Sequence, residues 1–410
     1  MMFLLGLCLR LTASGFAYRQ LLDPQKDYWE FGWETGRIAH AIVSGHGFAS
    51  PLFGVEGSTA WMGPVYPLLL AAVFRVLGTF TAASAIAILG LNSLFSAATC
   101  VPIYWIAARV FGKGTARWSG WAWAVYPYAI YFASARVWET SLTTLLLGLA
   151  IWLTFLLADR AGLRLWLLYG ALWALTALTN PATLILLPPL MAWAACRIYG
   201  RADVTAFLFP ATAAGLIFVV FVSPWFVRNY RTFHQFIPFR DNFWLEFRMG
   251  NTGDTSDVYI DWAHPAHSSA ELQEYRVLGE PGYFQKKKGQ ALGFVRNYPG
   301  MFMWLTVRRI VFTWTGFWTF RKQYLANEPF AIPHILVNTP LLILMLIGMR
   351  HAWHHRGPEV LPLVLCVATF PMLYYVTHSD PSYRHPIDPE IVMFAVYGLR
   401  QERTDSRSNM

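Results

Sequence analysis

Long apolar runs separated by short basic connections dominate the chain. The hydrocarbon layer of a bilayer is about 30 Å thick and a helix rises about 1.5 Å per residue, so runs of about 20 apolar residues are the units to count. Ten segments approach or meet that length: 1–16, 82–110, 116–132, 140–158, 165–178, 182–198, 205–227, 334–349, 360–376 and 387–399. The pattern predicts an all-α polytopic membrane protein.

Lys and Arg cross membranes reluctantly and collect in cytoplasmic connections. Arg109, Lys113 and Arg117 follow the second run, Arg160 and Arg164 the fourth, Arg197 and Arg201 the sixth, and Arg350 and Arg356 the eighth. Arg400, Arg403 and Arg407 close the chain. Both termini are therefore expected in the cytoplasm, with the polar stretches 17–81 and 228–333 outside. Residues 1–400 are expected to form one transmembrane domain, and 401–410 a cytoplasmic tail.

Two apolar stretches resist this count. Segment 301–320 carries Arg308 and Arg309 at its centre, each costing about 2.5–3.5 kcal/mol inside a bilayer, and counting it would put every later basic loop outside. It is expected on the outer surface, as is 65–77, a short stretch with Arg75 that suits an interfacial helix. The first run is short and has Arg10 at its middle. A cleaved signal peptide is its rival reading, favoured by the small residues of 13–17 but lacking a basic start.

Composition agrees with a chain in lipid. Hydrophobic residues make up 56% of the 410 and charged residues only 13%, about half the share of soluble domains. Disorder, collagen and coiled coil are excluded. The net charge of +9 follows from the loop arginines and calls for no nucleic acid. Cys8, Cys100, Cys196 and Cys366 all lie in apolar segments, without metal or disulfide spacing.

Candidate chemistry lies on the outer face. Asp27-Tyr28-Trp29-Glu30-Phe31-Gly32-Trp33-Glu34-Thr35-Gly36-Arg37 opens an amphipathic helix, with Asp27, Glu30, Glu34 and Arg37 on one face and Phe31, Ile38 and Ile42 on another. Its acids are either a solvated row or include a general base facing a lipid-embedded cavity. Other outer candidates are Arg136 and Glu139, Asn180 before Pro181, Arg228 with its neighbours, and Tyr383-Arg384-His385-Pro386. Arginines at the outer ends of separate spans run against the charge rule, and with Tyr they suit a phosphate ester at the membrane boundary. Asp261, His264 and His267 could ligate a metal but are better read as a plain loop, since Pro265 breaks the helical spacing; His351, His354 and His355 have helical metal-ligand spacing but lie between Arg350 and Arg356 in a short cytoplasmic turn, where headgroup contact suffices. Lys286 to Lys288 are read as solvated rather than lipid-seeking. No Gly-rich phosphate loop, Ser/His/Asp set or metalloprotease helix is present.

The sequence resembles the GT-C fold membrane glycosyltransferases of the protein O-mannosyltransferase and aminoarabinose-transferase-like superfamily, glycosyltransferase family 39-like. The resemblance is carried in order by Asp27-Tyr28, Gly63-Pro64-Val65-Tyr66-Pro67, Tyr126-Pro127 with Glu139, Leu178-Thr179-Asn180-Pro181, Pro224-Trp225 with Arg228-Asn229, and Tyr383-Arg384-His385-Pro386 with Pro389. It implies a polyprenyl-phosphate sugar donor, an extracytoplasmic lipid, glycan or protein acceptor, and inversion at the sugar. It also implies a bundle of about ten helices in a bacterial inner (plasma) membrane. By the same resemblance Asp27 is the base, with Asp23 and Glu34 in reserve, while Arg136, Arg228, Arg384, Tyr383 and His385 hold the donor phosphate. No cofactor is required, and a divalent metal is left open. The chain departs from the pattern where Asp27 is followed by Tyr28 rather than a second acid, and where Asn180 precedes Pro181. The alternative class is a polytopic transporter or lipid flippase, for which neither a repeated half nor acids within the spans can be found.

Overall fold

The computed structural model describes residues 1–26, 29–160, 162–199, 204–253, 263–318, 320, 322, 325 and 331–408. Asp27 and Asp261 lie outside the described residues, and so does the side chain of Glu30. The helices are α1 (Met2–Ala17), α2 (Trp29–Val43), α3 (Val65–Leu77), α4 (Ala82–Ala98), α5 (Cys100–Val110), α6 (Lys113–Ala124), α7 (Pro127–Ala135), α8 (Thr140–Asp159), α9 (Leu163–Thr179) and α10 (Leu187–Tyr199). They continue with α11 (Val204–Phe233), α12 (Phe243–Gly250), α13 (Ser269–Asn297), α14 (Pro299–Thr315), α15 (Ala331–Arg356), α16 (Leu361–Thr369), α17 (Met372–Val376), α18 (Pro381–Arg384) and α19 (Asp388–Ser408). No strand occurs among the described residues; an isolated bridge joins Ala49 and Ser58. Five of the described helical stretches are long and apolar enough to cross a membrane: Ala82–Val110, Thr140–Asp159, Pro181–Ile198, Phe207–Phe233 and Ala331–Val376. The protein is all-α and integral to the membrane.

The helices group into two compact units: Met1–Ile106 with Trp123–Asn242, and Ala107–Ala122 with Phe243–Met410. In the first, α1 packs on α4 and α7. Its Arg10 is fully buried and donates to Ser96 Oγ at 2.8 Å and to the carbonyls of Gly6, Ala124 and Trp123 at 2.9, 3.0 and 3.0 Å. The expected span 116–132 is broken at those carbonyls into α6 and α7. Tyr126 takes extended backbone (φ −65, ψ 120) before Pro127, as the residue preceding a proline prefers. Proline cannot supply the N–H that would continue the ladder, so the Trp123 carbonyl keeps the Tyr126 N–H at 3.2 Å and the break draws in an outside donor. A guanidinium, with five donors, is well suited.

The first-loop helix also differs from its expected form. Phe31 (φ 63) and Gly32 (φ 77) take left-handed backbone, so the regular 100° progression does not run from Asp27 and Glu30 through to Glu34. Phe31 pays for its strained φ by complete burial, with its ring 5.4 Å from those of Phe74 and Phe80. Helix α3 is likewise more than a surface helix: Tyr66, Leu70 and Phe74 join Leu21, Ala39, Ile88 and Leu89 in the apolar core of this unit.

In the second unit α15 and α19 lie closely side by side. A methyl group on Gly348 would overlap the Phe394 carbonyl oxygen, so glycine sets this approach. Helix α13 folds back on itself at Gly279 (φ 65). Glu271 and Lys287 are 2.5 Å apart, whereas sixteen residues of straight helix would separate them by about 24 Å. Lys287 is buried and pairs with both Glu271 and Glu274, Lys286 pairs with Glu274, and Lys288 lies over the Trp244 ring at 5.2 Å. All three lysines are expected in solvent; the fold-back buries Lys287 among internal partners, while Lys286 stays half-exposed as expected. In α14 the two central arginines part company. Arg309 is buried and donates to Tyr375 O, Gly250 O and Asn251 Oδ1 at 2.9, 2.6 and 2.8 Å, while Arg308 lies over the Phe312 ring.

Candidate active site

Glu139 is the N-cap residue of α8 and is 3% exposed. Among the described residues its Oε2 has no hydrogen-bond partner, nor do the buried hydroxyls of Ser141 and Thr143 on the first turn that follows. Burial raises the Glu139 carboxyl above the usual carboxylate range, opposed by the charge of Arg240. Nearby, the Asn92 amide donates to the Tyr66 hydroxyl at 2.8 Å and to the Arg136 carbonyl at 3.0 Å. The Tyr66 phenol is pushed up by burial; its bond to Asn92 opposes that, and the charge of Glu139 adds to it. The Arg136 guanidinium lies 5.2 Å from the centre of the Tyr131 ring. The first unit thus links Tyr66, Asn92 and the Arg136 carbonyl by hydrogen bonds, and the charges of Glu139 and Arg240 act on the same neighbourhood.

The other expected residues of this unit are placed differently. Glu34 is 3% exposed, so the picture of a solvated acidic row does not apply to it. Arg37 is partly exposed, with its guanidinium 5.8 Å from the Phe53 ring. Asn180 acts on its own turn: its Oδ1 accepts from the Ala182 N–H at 3.1 Å and its carbonyl accepts from Thr183 Oγ1 at 2.7 Å. Arg228 donates to the carbonyls of Thr59 and Phe48, each at 2.6 Å, and to Asn229 Oδ1 at 3.0 Å. Its guanidinium also lies against Phe48, Trp225 and Phe233. That environment ties the 48–59 loop to α11, and its strongest donors face protein carbonyls instead of a ligand.

In the second unit Arg384 is buried and donates to Asp388 Oδ1 at 3.0 Å, Thr313 O at 3.0 Å and Asn338 Oδ1 at 2.8 Å. His385, fully buried, is 2.8 Å from the other Asp388 oxygen. One carboxylate thus holds both the Arg384 and the His385 side chain of the Tyr-Arg-His-Pro motif, and the motif locks the start of α19. Tyr383 stacks on Tyr374 at 4.7 Å and meets the His378 ring at 5.2 Å. His378 Nε2 lies 2.6 Å from Glu246 Oε2. His264 accepts from the Ala266 N–H, and burial lowers its pKa to about 4, with the Glu246 charge opposing. Among the described residues no group of three or more His, Cys, Asp or Glu is arranged to hold a metal.

Arg240, Asp388 and the Glu246–His378 pair escaped the reading of the sequence. Arg240 follows a span, as Arg228 does, and the three-residue spacing of His385 and Asp388 was visible. What could not be seen was which partner each would meet.

No protein-family model matches the chain, and no curated protein matches it. Solved structures do. The oligosaccharyltransferase AglB from Archaeoglobus fulgidus, in complex with an inhibitory peptide and a dolichol-phosphate, superposes with a TM-score of 0.53 at 12% identity, covering 96% of this chain and 50% of that one. Its apo form gives a TM-score of 0.53 at 14% identity, over 97% and 50%. The chain has a GT-C-like fold. It spans about half the length of these oligosaccharyltransferases. ArnT from Cupriavidus metallidurans, bound to undecaprenyl phosphate, gives a TM-score of 0.41 at 13% identity, over 95% of this chain and 77% of that one.

Proposed function

We propose that the protein is a membrane glycosyltransferase that moves a sugar from a polyprenyl-phosphate donor to an acceptor hydroxyl or amide on the extracytoplasmic face, with inversion. The GT-C-like fold supports the class. The observation that carries the site is Glu139, a buried carboxyl with an oxygen that no group among the described residues satisfies. Such an oxygen is costly to leave bare, and a sugar or acceptor hydroxyl is the donor it lacks.

In this reading the acceptor's O–H or N–H proton passes to a first-loop carboxylate, Asp27 by motif, as the acceptor atom attacks the anomeric carbon. The bond from that carbon to the phosphate oxygen breaks, and the polyprenyl phosphate departs with the electron pair. A phosphate needs no proton to leave, only positive charge. Arg136 and Arg240, grouped with Glu139, supply it. Glu139 orients a hydroxyl, while Arg228 holds the carbonyls of Phe48 and Thr59 in the first loop.

The deciding experiment incubates membranes carrying wild type, Asp27→Asn or Glu139→Gln with labelled polyprenyl-phosphate sugars and cell-envelope acceptor. Donor consumption by the wild type, abolished by Asp27→Asn and reduced about 10²-fold or more by Glu139→Gln, supports the assignment. No consumption of any donor by the wild type, together with movement of labelled lipid across vesicles, would establish the transporter or flippase instead.

A further inference from the structure

One end of the second unit carries a cluster of cations that the reading above leaves without a task. The α5–α6 turn and the end of α15 are brought together there by an ion pair: Arg109 Nη1 is 2.9 Å from Glu359 Oε2. That pair occupies the single acidic side chain of the 350–360 segment. The third element is α19, where a methyl group on Gly114 would lie 2.8 Å from the Arg400 guanidinium. Lys113, Arg117, Arg350 and Arg356 are all exposed on these elements. Trp118 and Trp353 stand among them, 57% and 49% exposed.

The order of side chains along α15 is more telling than the charge. Leu336, Ile343 and Leu346 are exposed at 68%, 53% and 52%, followed on the same helical stripe by Arg350 and Trp353. Steps of seven, three, four and three residues keep one face of a helix. At about 1.5 Å per residue, the path from Leu336 to Arg350 covers about 21 Å. Apolar surface, then a cation with an aromatic ring beside it, is the sequence in which a phospholipid presents its acyl chain, carbonyl region and phosphate. A nucleic acid or a free anion would use the cations and leave the apolar stripe without purpose.

We propose that this end of the second unit is a binding site for anionic phospholipid. The lipid phosphate is held by Arg350, Arg356 and Lys113, the interfacial region rests on Trp353, and an acyl chain runs along Leu346, Ile343 and Leu336. Clusters of Lys and Arg between transmembrane helices bind anionic lipid headgroups. The site is independent of glycosyl transfer and uses none of its residues.

The test uses the full chain in nanodiscs of phosphatidylcholine alone or with 30% phosphatidylglycerol, with lipid retention followed by native mass spectrometry and Tm by intrinsic fluorescence. Phosphatidylglycerol should raise the wild-type Tm, and Lys113→Ala/Arg350→Ala/Arg356→Ala should lose that rise and bind phosphatidylglycerol about tenfold or more weakly. Arg160→Ala/Arg164→Ala/Arg231→Ala, which removes exposed cations elsewhere, should keep both. If the triple variant is unstable in phosphatidylcholine, Arg350→Lys/Arg356→Lys with Trp353→Leu separates charge from ring: retained lipid response with the lysines and a weakened one with the leucine support the site. An equal response in wild type and patch variant overturns the proposal. So does inorganic phosphate in detergent reproducing the full rise in Tm, since the apolar stripe would then have no part.

Discussion

Arg10 Nη2 donates to the Trp123 carbonyl oxygen at 3.0 Å, and Nη1 of the same guanidinium to the neighbouring Ala124 carbonyl at 3.0 Å. The arginine that made the first apolar run look defective is therefore what permits the break between α6 and α7. Trp123 and Ala124 are fully buried, so carbonyls at this helix end have no water to turn to, and an arginine from α1 stands in for it. Ser96 completes the arrangement: its Oγ accepts from Arg10 Nε and donates to Ala129 O, and its carbonyl accepts from Trp123 Nε1 at 2.7 Å.

Replacing Arg10 by Leu strips donors from the carbonyls of Gly6, Trp123 and Ala124 together. Hydrogen bonds to charged groups are worth about 1.5–3 kcal/mol each, and an isosteric apolar side chain recovers part of that. The net loss should be about 2–4 kcal/mol. Thermal unfolding in detergent, read by fluorescence-detected size exclusion, should show a lower Tm for Arg10→Leu and an intermediate one for Arg10→Lys, which keeps the charge but fewer donors.

Glu139 should impose a pH dependence on stability. Its carboxyl is raised on folding, above the value it has in the unfolded chain, by burial. The native state therefore holds a proton that the unfolded state releases first, and the stability this confers is lost as pH rises through the folded value. The wild type should lose Tm on alkalinisation above the ordinary carboxylate range relative to Glu139→Gln, which has no proton to lose. Parallel Tm–pH curves for the two proteins would remove burial as the cause.

His264 acts in the opposite direction. Burial lowers it from 6.5 to about 4, so at intermediate pH the unfolded state binds a proton that the native state refuses. Stability from this group is complete above about pH 6.5 and declines as pH falls toward 4. His264→Gln should flatten that decline, as measured by Tm across pH 4 to 7.

Arg384→Ala should act on folding before it acts on substrate. The substitution leaves Asp388, 1% exposed, facing only His385, and deprives Thr313 O and Asn338 of a donor. Breaking a buried pair from one side costs about 3–5 kcal/mol. Yield and Tm should fall in Arg384→Ala, and adding Asp388→Asn should restore part of the loss, whereas a side chain whose only work is to hold donor phosphate would lower affinity at unchanged Tm.

Apolar run length and loop charge were enough to reveal an all-α membrane protein, because lipid imposes its constraint on each segment separately: backbone polar groups must be satisfied within the helix, whatever its neighbours. The 140–158 and 182–198 runs needed nothing more and lie in the stretches Thr140–Asp159 and Pro181–Ile198, and the 205–227 run overlaps Phe207–Phe233. Candidate polar residues were also legible as types, since Glu139, Arg136 and Arg384 stand out against an apolar background. Their work was not legible. Whether Arg384 meets a phosphate or Asp388, whether Arg228 meets a ligand or the carbonyls of Phe48 and Thr59, and whether Lys287 meets water or Glu271 depends on groups 4 to 180 residues away. A guanidinium or ammonium takes whichever acceptor the fold brings within about 3 Å, and that distance is set by chain reversals such as Gly279 and by breaks such as the one before Pro127. The membrane selected the helices one by one; only their packing decided which charges were partners and left Glu139 with an oxygen still to be satisfied.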